Sequence, residues 1–479
     1  MTETTASAWP LLLAIASAAI GIAAAIHAAL TKDDVRAAIG WVGIILLSPL
    51  IGASIYAVAG INRIRRRSIG NRRIRMEDRV SGMRGMTSTM PPDAERRFHS
   101  LHVLGDAVSP FPLASGNLVE PLAGGDEAYP AMIAAIATAE RHVALSSYIF
   151  DNDPAGREFV ASLSAARRRG VEVRVLVDAV GARYSRPSIG SALRPESIPI
   201  EYFLGNIVGF RLPYAQLRNH RKILVVDGET AFTGGMNIRA GFTTSHAGRD
   251  PDRDMHFRLR GPVAGHLLAV FADDWFFETG EKLEGDPWKA GAATAAGDSF
   301  ARVVVSGPDS RVAATHAMIM GALAAARERV AICSPYFLPD QQLVAALAVT
   351  AMRGVAVDIV IPAANNLRLV DFAMTAQLDQ VIAPGCRVFR AAGPFDHAKL
   401  LTVDSRWAYV GSSNVDPRSH RLNFEIDVEV FDADFARRME RRIDERIADS
   451  HEVTLTALRS MPLVKRLRNR VVWLASPYL

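Results

Sequence analysis

Two copies of one short pattern constrain this chain more than any other feature. Asn219-His220-Arg221-Lys222-Ile223-Leu224-Val225-Val226-Asp227 and Asp396-His397-Ala398-Lys399-Leu400-Leu401-Thr402-Val403-Asp404 both read H-x-K-x4-D, 177 residues apart. Each is followed by a glycine turn and an asparagine: Gly234-Gly235-Met236-Asn237, then Gly411-Ser412-Ser413-Asn414. The chain has only six lysines, so a lysine at the same place in both copies is not a by-product of composition. A wider repeat runs with the motif. Glu140 to Phe150 reads as a helix end followed by a strand, and a second strand starts at Gly170. Glu328 to Phe337 and the segment from Gly354 repeat both, 184 residues on from glycine to glycine. A period this long is domain duplication, not a solenoid. Strands alternating with helices make α/β layers.

The spacing inside the motif has a physical reading. Residues i and i+2 of a strand share a face, so each histidine and lysine point the same way. The apolar run Ile223 to Val226 suits a buried strand. Asp227 and Asp404 fall on the opposite parity, and Asp227-Gly228 is a hairpin-turn pair. These two aspartates complete the motif as organisers of the turn. Asn237 and Asn414, on the returning strand, can donate amide hydrogens toward the same face. An imidazole, an ammonium and an amide make half of an anion site. Two such halves make a phosphate site with two histidines, one to attack phosphorus and one to protonate the leaving oxygen. Lys222, Lys399, Asn237 and Asn414 would stabilise charge on the phosphoryl oxygens.

Each histidine wants an orienting carboxylate. Asp254, 34 residues after His220, and Glu425, 28 residues after His397, are the candidates, each read with the motif it follows. No cluster has metal-ligand spacing, so neither a catalytic metal nor another cofactor is expected. His27, His102, His316 and His451 lack such company and read as ordinary structural histidines.

The front of the chain is different in kind. Trp9 to Leu30 and Ala37 to Ile61 carry no formal charge over 22 and 25 residues. Each run is long enough to cross a bilayer as a helix, and the short polar link from Thr31 to Arg36 makes them a hairpin. Ala14, Ala18 and Gly21 offer small-residue packing surface, and Pro49 is expected to kink the second helix. Glu3 and the lack of any Lys or Arg before Trp9 argue against a cleaved signal peptide. Arg63, Arg65, Arg66, Arg67, Arg72, Arg73, Arg75 and Arg79 follow the second run directly. The positive-inside rule then puts the rest of the chain in the cytoplasm, with the arginines against anionic lipid headgroups. Two cysteines, Cys333 and Cys386, exclude a disulfide framework and fit a reducing compartment. The net charge of +5 is modest and, beside two membrane helices, argues against nucleic acid as partner.

At this point the chain resembles a known family. The strings Arg218-Asn219-His220-Arg221-Lys222, Thr233-Gly234-Gly235-Met236-Asn237, Ser334-Pro335-Tyr336-Phe337-Leu338-Pro339-Asp340 and Gly411-Ser412-Ser413-Asn414-Val415-Asp416-Pro417-Arg418-Ser419 are similar to the phospholipase D superfamily, in its bacterial cardiolipin synthase branch. The chain departs from that pattern at Asp252, where the family has Trp, and at His420, where it has an aromatic or apolar residue. The resemblance implies an α/β protein in which two tandem phospholipase D-like α/β/α sandwich halves form one bilobal catalytic domain behind a transmembrane hairpin. The expected division is a hairpin at 1–61 (helices about 9–30 and 37–61), a basic linker at 62–98, halves at 99–279 and 300–479, and a linker at 280–299. It implies a multi-pass protein of the bacterial inner membrane and catalysis by His220, Lys222, Asp227, His397, Lys399 and Asp404. His220 would be the nucleophile and His397 the acid and base. The substrate would be a phospholipid, phosphatidylglycerol as both donor and acceptor, giving cardiolipin and glycerol. A phospholipase D using water or another alcohol, and more remotely a phosphodiester nuclease, would share the same site. The C-terminal run from Lys465 to Leu479, basic and then aromatic and apolar, suits an interfacial helix or a helix docked on the domain.

Overall fold

The computed structural model describes residues 3–32, 34–60, 90, 92–205, 217–248, 250–289, 294–308 and 313–476. The chain divides into two compact units, Met1–Arg65 and Arg66–Leu479. The arginines from Arg63 to Arg79, most of the expected 62–98 linker and the middle of the 280–299 linker lie outside the described residues.

In the first unit one helix, Glu3–Thr31, contains a stretch from Trp9 to Thr31 that is long and apolar enough to cross a membrane. The second apolar run is not one helix. It forms Val35–Leu47, then Pro49–Ile55, then a π-helical turn, Tyr56–Gly60. Proline cannot supply the amide that would continue the helix, and its ring drives the preceding residue out of helical geometry. Ser48 accordingly sits at φ −146, ψ 80. Pro49 therefore breaks this segment where a kink was expected. The small-residue seam also lies lower than expected. Ala14 and Ala18 are exposed, whereas Gly21, Ala25 and Ala28 are buried. A Cβ on Gly21 would stand 2.7 Å from the Pro49 ring, so only glycine admits that proline. The exposed faces are apolar, with Trp9, Leu11, Leu13 and Leu30 outward.

Among its described residues the second unit carries sixteen strands. In the first half these are β1 (Ala114–Ala123), β2 (His142–Ser147), β3 (Glu172–Asp178), β4 (Ile200–Phe203), β5 (Arg218–Asn219), β6 (Ile223–Val226), β7 (Thr230–Gly234) and β8 (Met255–Arg260). In the second half they are β9 (Ser299–Ser306), β10 (Arg329–Cys333), β11 (Ala356–Pro362), β12 (Arg387–Ala391), β13 (Leu400–Val403), β14 (Trp407–Gly411), β15 (Asn423–Phe431) and β16 (Ser450–Glu452). They form one sheet in the order β4-β3-β2-β6-β7-β8-β1-β9-β15-β14-β13-β10-β11-β12-β16, with β5 off the path. Read outward from the central antiparallel pair β1–β9, the two halves have the same order. The repeated strands β2–β3 and β10–β11 are parallel pairs, as their helical crossovers require.

Every residue of β6 and β13 is buried, because helices cover both faces of the sheet. In the first half the helices Gly124–Ala137 and Pro154–Arg168 share a core with Val143, Leu145, Leu224 and Val226. Helix Pro262–Thr279 lies across the sheet, buried continuously from Val263 to Trp275. Helix Ala433–Ala448 is its counterpart in the second half. One element crosses the expected boundary. Helix Pro92–Val108, which begins in the sequence-assigned linker and runs into the first half, packs into the second half's core. Phe98 meets Phe431 edge to face, and Leu101 joins the same apolar cluster. Its apolar periodicity marks a buried face but not which core receives it.

Candidate active site

Each motif lies at the mouth of a hairpin, β6–β7 or β13–β14. Asp227 and Asp404 sit at the far turns with φ of 54 and 53, a left-handed conformation that Asp tolerates. Neither carboxylate is the partner of a motif imidazole. Asp227 accepts the backbone N–H groups of Glu140, Arg141 and His142 at 2.9, 2.8 and 2.9 Å. Asp404 accepts those of Glu328 and Arg329 at 2.7 and 2.9 Å and the Arg97 guanidinium at 2.7 Å. Both aspartates thus splice the motif hairpin to the first strand of the repeat, the turn-organising part expected of them.

The histidines are placed by contacts between the halves. β5 pairs in parallel with the start of β15, and Arg253 bridges Asp396 in the symmetric position. His220 N–H donates to the Phe424 carbonyl at 2.9 Å, and His397 N–H to the Arg253 carbonyl at 2.7 Å. Phe424 and Arg253 immediately precede the two candidate acids. The imidazoles follow the backbone. His220 Nδ1 lies 2.9 Å from Glu425 Oε2, and His397 Nδ1 lies 2.8 Å from Asp254 Oδ2. The sequence named the right acids but paired each with its own motif; the structure exchanges them. A dyad between duplicated halves brings each motif to the other's acid strand, and no spacing along one half records that.

The acids differ in support. Glu425 also accepts from Ser412 Oγ at 2.6 Å and Asn423 Nδ2 at 3.0 Å. At the position equivalent to Ser412 stands Gly235, where a Cβ would come within 2.4 Å of Asp254 Oδ1. Asp254 instead accepts from the Met255 N–H at 2.7 Å. Burial pushes the Asp254 carboxyl up to about 7 and raises Glu425 as well. The same burial, then the charges of Lys222 and Lys399, hold both imidazoles well below their ordinary value. Each ring is thus held toward its neutral form, turns Nδ1 to an acid side chain and lines one shared cavity.

Lys222 Nζ donates to the His220 carbonyl at 2.7 Å. Lys399 Nζ bonds the His397 carbonyl and lies 3.0 Å from His397 Nδ1. Burial lowers both ammonium groups, Lys222 to about 7. Asn237 Oδ1 accepts the Ile149 N–H at 3.0 Å. Asn414 Nδ2 reaches Ser419 Oγ, and its Oδ1 is buried with no partner among the described residues.

Both histidines and both asparagines line one cavity of about 380 Å3. Its wall also holds residues that sequence reasoning passed over. Tyr148 and Tyr336 lie just past the first strand of each repeat, beyond Ser147 and Cys333, and place their rings 5.1 and 6.1 Å from His220 and His397. Their signal was present: Ser147-Tyr148 and Pro335-Tyr336 fall at one position of the repeat. Arg218, Arg239 and Arg418 add positive charge, and Asp252 and Asp416 line the same space. His420, the other departure from the family pattern, is buried with its ring 5.5 Å from His316.

Comparison with known proteins shows the family of the chain. The family described as cardiolipin synthase, phospholipase D-like domain, matches residues 132–275 and 319–447, one segment in each half. Cardiolipin synthase A of Pseudomonas aeruginosa is 32% identical over 479 residues, covering 98% of this chain and 96% of that protein. The cardiolipin synthase of Alkalihalophilus pseudofirmus is 27% identical over 443 residues, covering 92% and 88%. Among solved structures, phosphatidylserine synthase of Haemophilus influenzae superposes with a TM-score of 0.61 at 14% identity, over 79% of this chain and all of that one, a likeness of fold. The duplicated motif, the crossed histidine–carboxylate pairs and these matches agree: the chain belongs to the cardiolipin synthase family of phospholipase D-like proteins.

Proposed function

We propose that the protein is a membrane-anchored phosphatidyltransferase that makes cardiolipin and glycerol from two phosphatidylglycerol molecules. The observation that carries this reading is the pair of crossed histidine–carboxylate dyads opening on one cavity. His220 Nε2 attacks the phosphorus of the first lipid, and the bond to the glycerol oxygen breaks. The His397–Asp254 pair, whose carboxyl is raised to about 7, supplies one proton through His397 to the departing glycerol oxygen. Having lost that proton, the pair takes one back through His397 from a hydroxyl of a second phosphatidylglycerol. That oxygen attacks phosphorus, the phosphorus–nitrogen bond breaks, and His220 is regenerated. Glu425 and Asp254 hold the rings and stabilise imidazolium as it forms. Lys222, Lys399, Asn237 and Asn414 stabilise the phosphoryl oxygens.

A lipid substrate is supported by the apolar N-terminal helix and by the relatives, whose names state cardiolipin synthesis. We read both apolar runs as membrane-embedded, with the catalytic unit on the cytoplasmic face of the bacterial inner membrane. The basis for that orientation is the run of arginines from Arg63 to Arg79. A cysteine introduced at position 33 or 34 should label from the outer side; labelling from the cytoplasm reverses the topology.

The reaction is tested with full-length protein in vesicles containing phosphatidylglycerol. Cardiolipin and glycerol should appear in equal amounts with ping-pong kinetics. Acceptor lipids held in the same bilayer have a high effective concentration, so transfer should exceed hydrolysis there. Phosphatidic acid as sole product would replace the transferase reading with that of a phospholipase D.

A further inference from the structure

A helix docked on a soluble domain buries its apolar face and shows its polar one. The C-terminal helix Leu463–Trp473 does this only in part. On the side packed against helix Arg368–Ile382, Val472 and Trp473 meet the second half's apolar core beside polar and charged groups. Asn469 is buried, Trp473 Nε1 donates to Gln377 Oε1 at 3.2 Å, Arg470 pairs with Asp379 at 3.0 Å, and Arg468 stacks over the Phe372 ring at 3.6 Å. The opposite side carries Leu463, Val464, Leu467, Val471 and Leu474, each 58–79% exposed. Leu463, Leu467, Val471 and Leu474 follow one another at four, four and three residues, so they form one stripe. Lys465 and Arg466 extend from the same helix, Arg468 and Arg470 being held on the docked side, and no acid occurs in the helix.

The supporting helix leads to the catalytic cavity. Leu367, immediately before it, lines that cavity while 49% exposed, and Leu369 in its first turn is 56% exposed. Apolar surface thus occupies both the cavity rim and the outward face of the helix packed beside it.

We propose that Leu463–Trp473 is an interfacial docking helix. Its apolar stripe enters the acyl boundary of an anionic bilayer, its cations meet the headgroups, and the cavity rim at Leu367 and Leu369 is held against the lipid surface. The purpose given to this docking rests on the phosphatidyltransferase reading; the docking itself does not. The occupant is lipid and not a second copy of the chain, because a two-fold contact through this stripe would bring together two basic helices, each carrying Lys465 and Arg466 beyond its one ion pair, Arg470–Asp379. Anionic headgroups are the complement of that pattern.

The test uses full-length protein carrying Leu467→Cys labelled with an environment-sensitive dye, since Cys333 and Cys386 are buried. In phosphatidylglycerol vesicles the dye should shift to the blue and be quenched by nitroxide placed near the headgroups. Emission typical of water without quenching overturns the proposal. So does energy transfer between differently labelled chains without lipid quenching, which assigns the stripe to a second copy. A second variant, Leu467→Glu with Val471→Glu, should lose about tenfold activity on vesicle substrate and none on dispersed short-chain phosphatidylglycerol. Equal losses on both substrates, or none, count against docking. Absence of cardiolipin from the unaltered protein with either substrate would instead refute the phosphatidyltransferase reading and leave the fluorescence result standing.

Discussion

The two motifs hold their histidines alike but are supported differently. Between histidine and lysine stands Arg221 in the first motif and Ala398 in the second. Arg221 is buried. Its Nη1 pairs with Asp274 at 2.6 Å, and its Nε donates to the Glu425 carbonyl at 3.1 Å, across the boundary between the halves. Asp274 comes from the long helix behind the sheet and also faces Asn219 Nδ2 at 3.3 Å. In the second half the charges are inverted. The acid, Asp396, precedes the histidine, and the base, Arg446, comes from the helix behind, 2.6 Å away. Duplication preserved the geometry around the two histidines while the buried support diverged. One consequence is mechanical inequality: the first motif is tied to the strand bearing its own orienting acid, and the second lacks an equivalent of Arg221.

The largest effects should come from the histidines, and they can break the symmetry of function. His220→Ala and His397→Ala should each lower turnover by at least about a thousandfold while the protein stays folded. They should differ with an activated substrate whose leaving group needs no proton. His397→Ala should then accumulate phosphohistidine, and His220→Ala should not. The opposite pattern, read by acid-quench phosphoryl trapping, would move the nucleophile to the second half. Full activity in either variant would remove the two-histidine mechanism altogether.

Next in size is the inequality of support. Arg221→Ala breaks the buried Arg221–Asp274 pair by removing one partner, a change that costs about 3–5 kcal/mol. Arg446 keeps 22% of its side chain exposed, so Arg446→Ala should cost clearly less. Denaturant unfolding of the detergent-solubilised protein compares them. Equal losses would show that contact across the halves adds nothing to the first motif. Arg221→Met with Asp274→Leu should recover most of the lost stability, because it removes both charges together.

These differences bear on what the sequence discloses. The duplicated motif, the α/β repeat, the apolar front and the His and Lys positions of both motifs are local patterns, and a single chain displays them. The aspartate turns were legible for the same reason. What escaped was made by contacts distant in sequence. His220 meets Glu425 across 205 residues and His397 meets Asp254 across 143. The docking of helix Pro92–Val108 on the second half belongs to the same class. The break at Ser48–Pro49 escaped for a different reason: a kink and a break share one sequence signal, and packing against Gly21 decides between them.

The orienting acids come third. Asp254→Asn and Glu425→Gln keep the shape of the side chain but lose the charge that stabilises imidazolium. Each should lower kcat by about ten- to a hundredfold, less than loss of the ring itself. Ser412→Ala should mimic a weak Glu425 variant, since the Ser412 hydroxyl holds the oxygen that faces His220. A Ser412→Ala enzyme with unaltered kcat would show that this extra hydrogen bond is not used in turnover.

The smallest effect is a pH dependence of stability, and it separates the two acids most finely. Asp254 has a folded pKa of about 7, above the ordinary 3.8, because burial penalises its charge. Below about 4 the group is protonated whether the chain is folded or not, and it favours neither state. As pH rises toward 7 the unfolded carboxyl ionises while the folded one keeps its proton. Stability is lost through that window, with the full penalty reached above it. Asp254→Asn removes this dependence. Its melting temperature relative to the unaltered protein should therefore rise between about pH 4 and pH 8, whatever the constant offset from the changed hydrogen bond to His397. His397 has the opposite sign, its penalty growing as pH falls below its ordinary range, but it is present in both proteins and its contribution largely cancels in the difference. Glu425 is also raised by burial, yet Lys222, Ser412 and Asn423 all favour its charged form. Glu425→Gln should show the same direction with a shallower slope. A steeper slope for Glu425 would mean that its three partners fail to offset burial and that the bare glycine beside Asp254 is the better support. A flat difference for both would place the proton on neither acid.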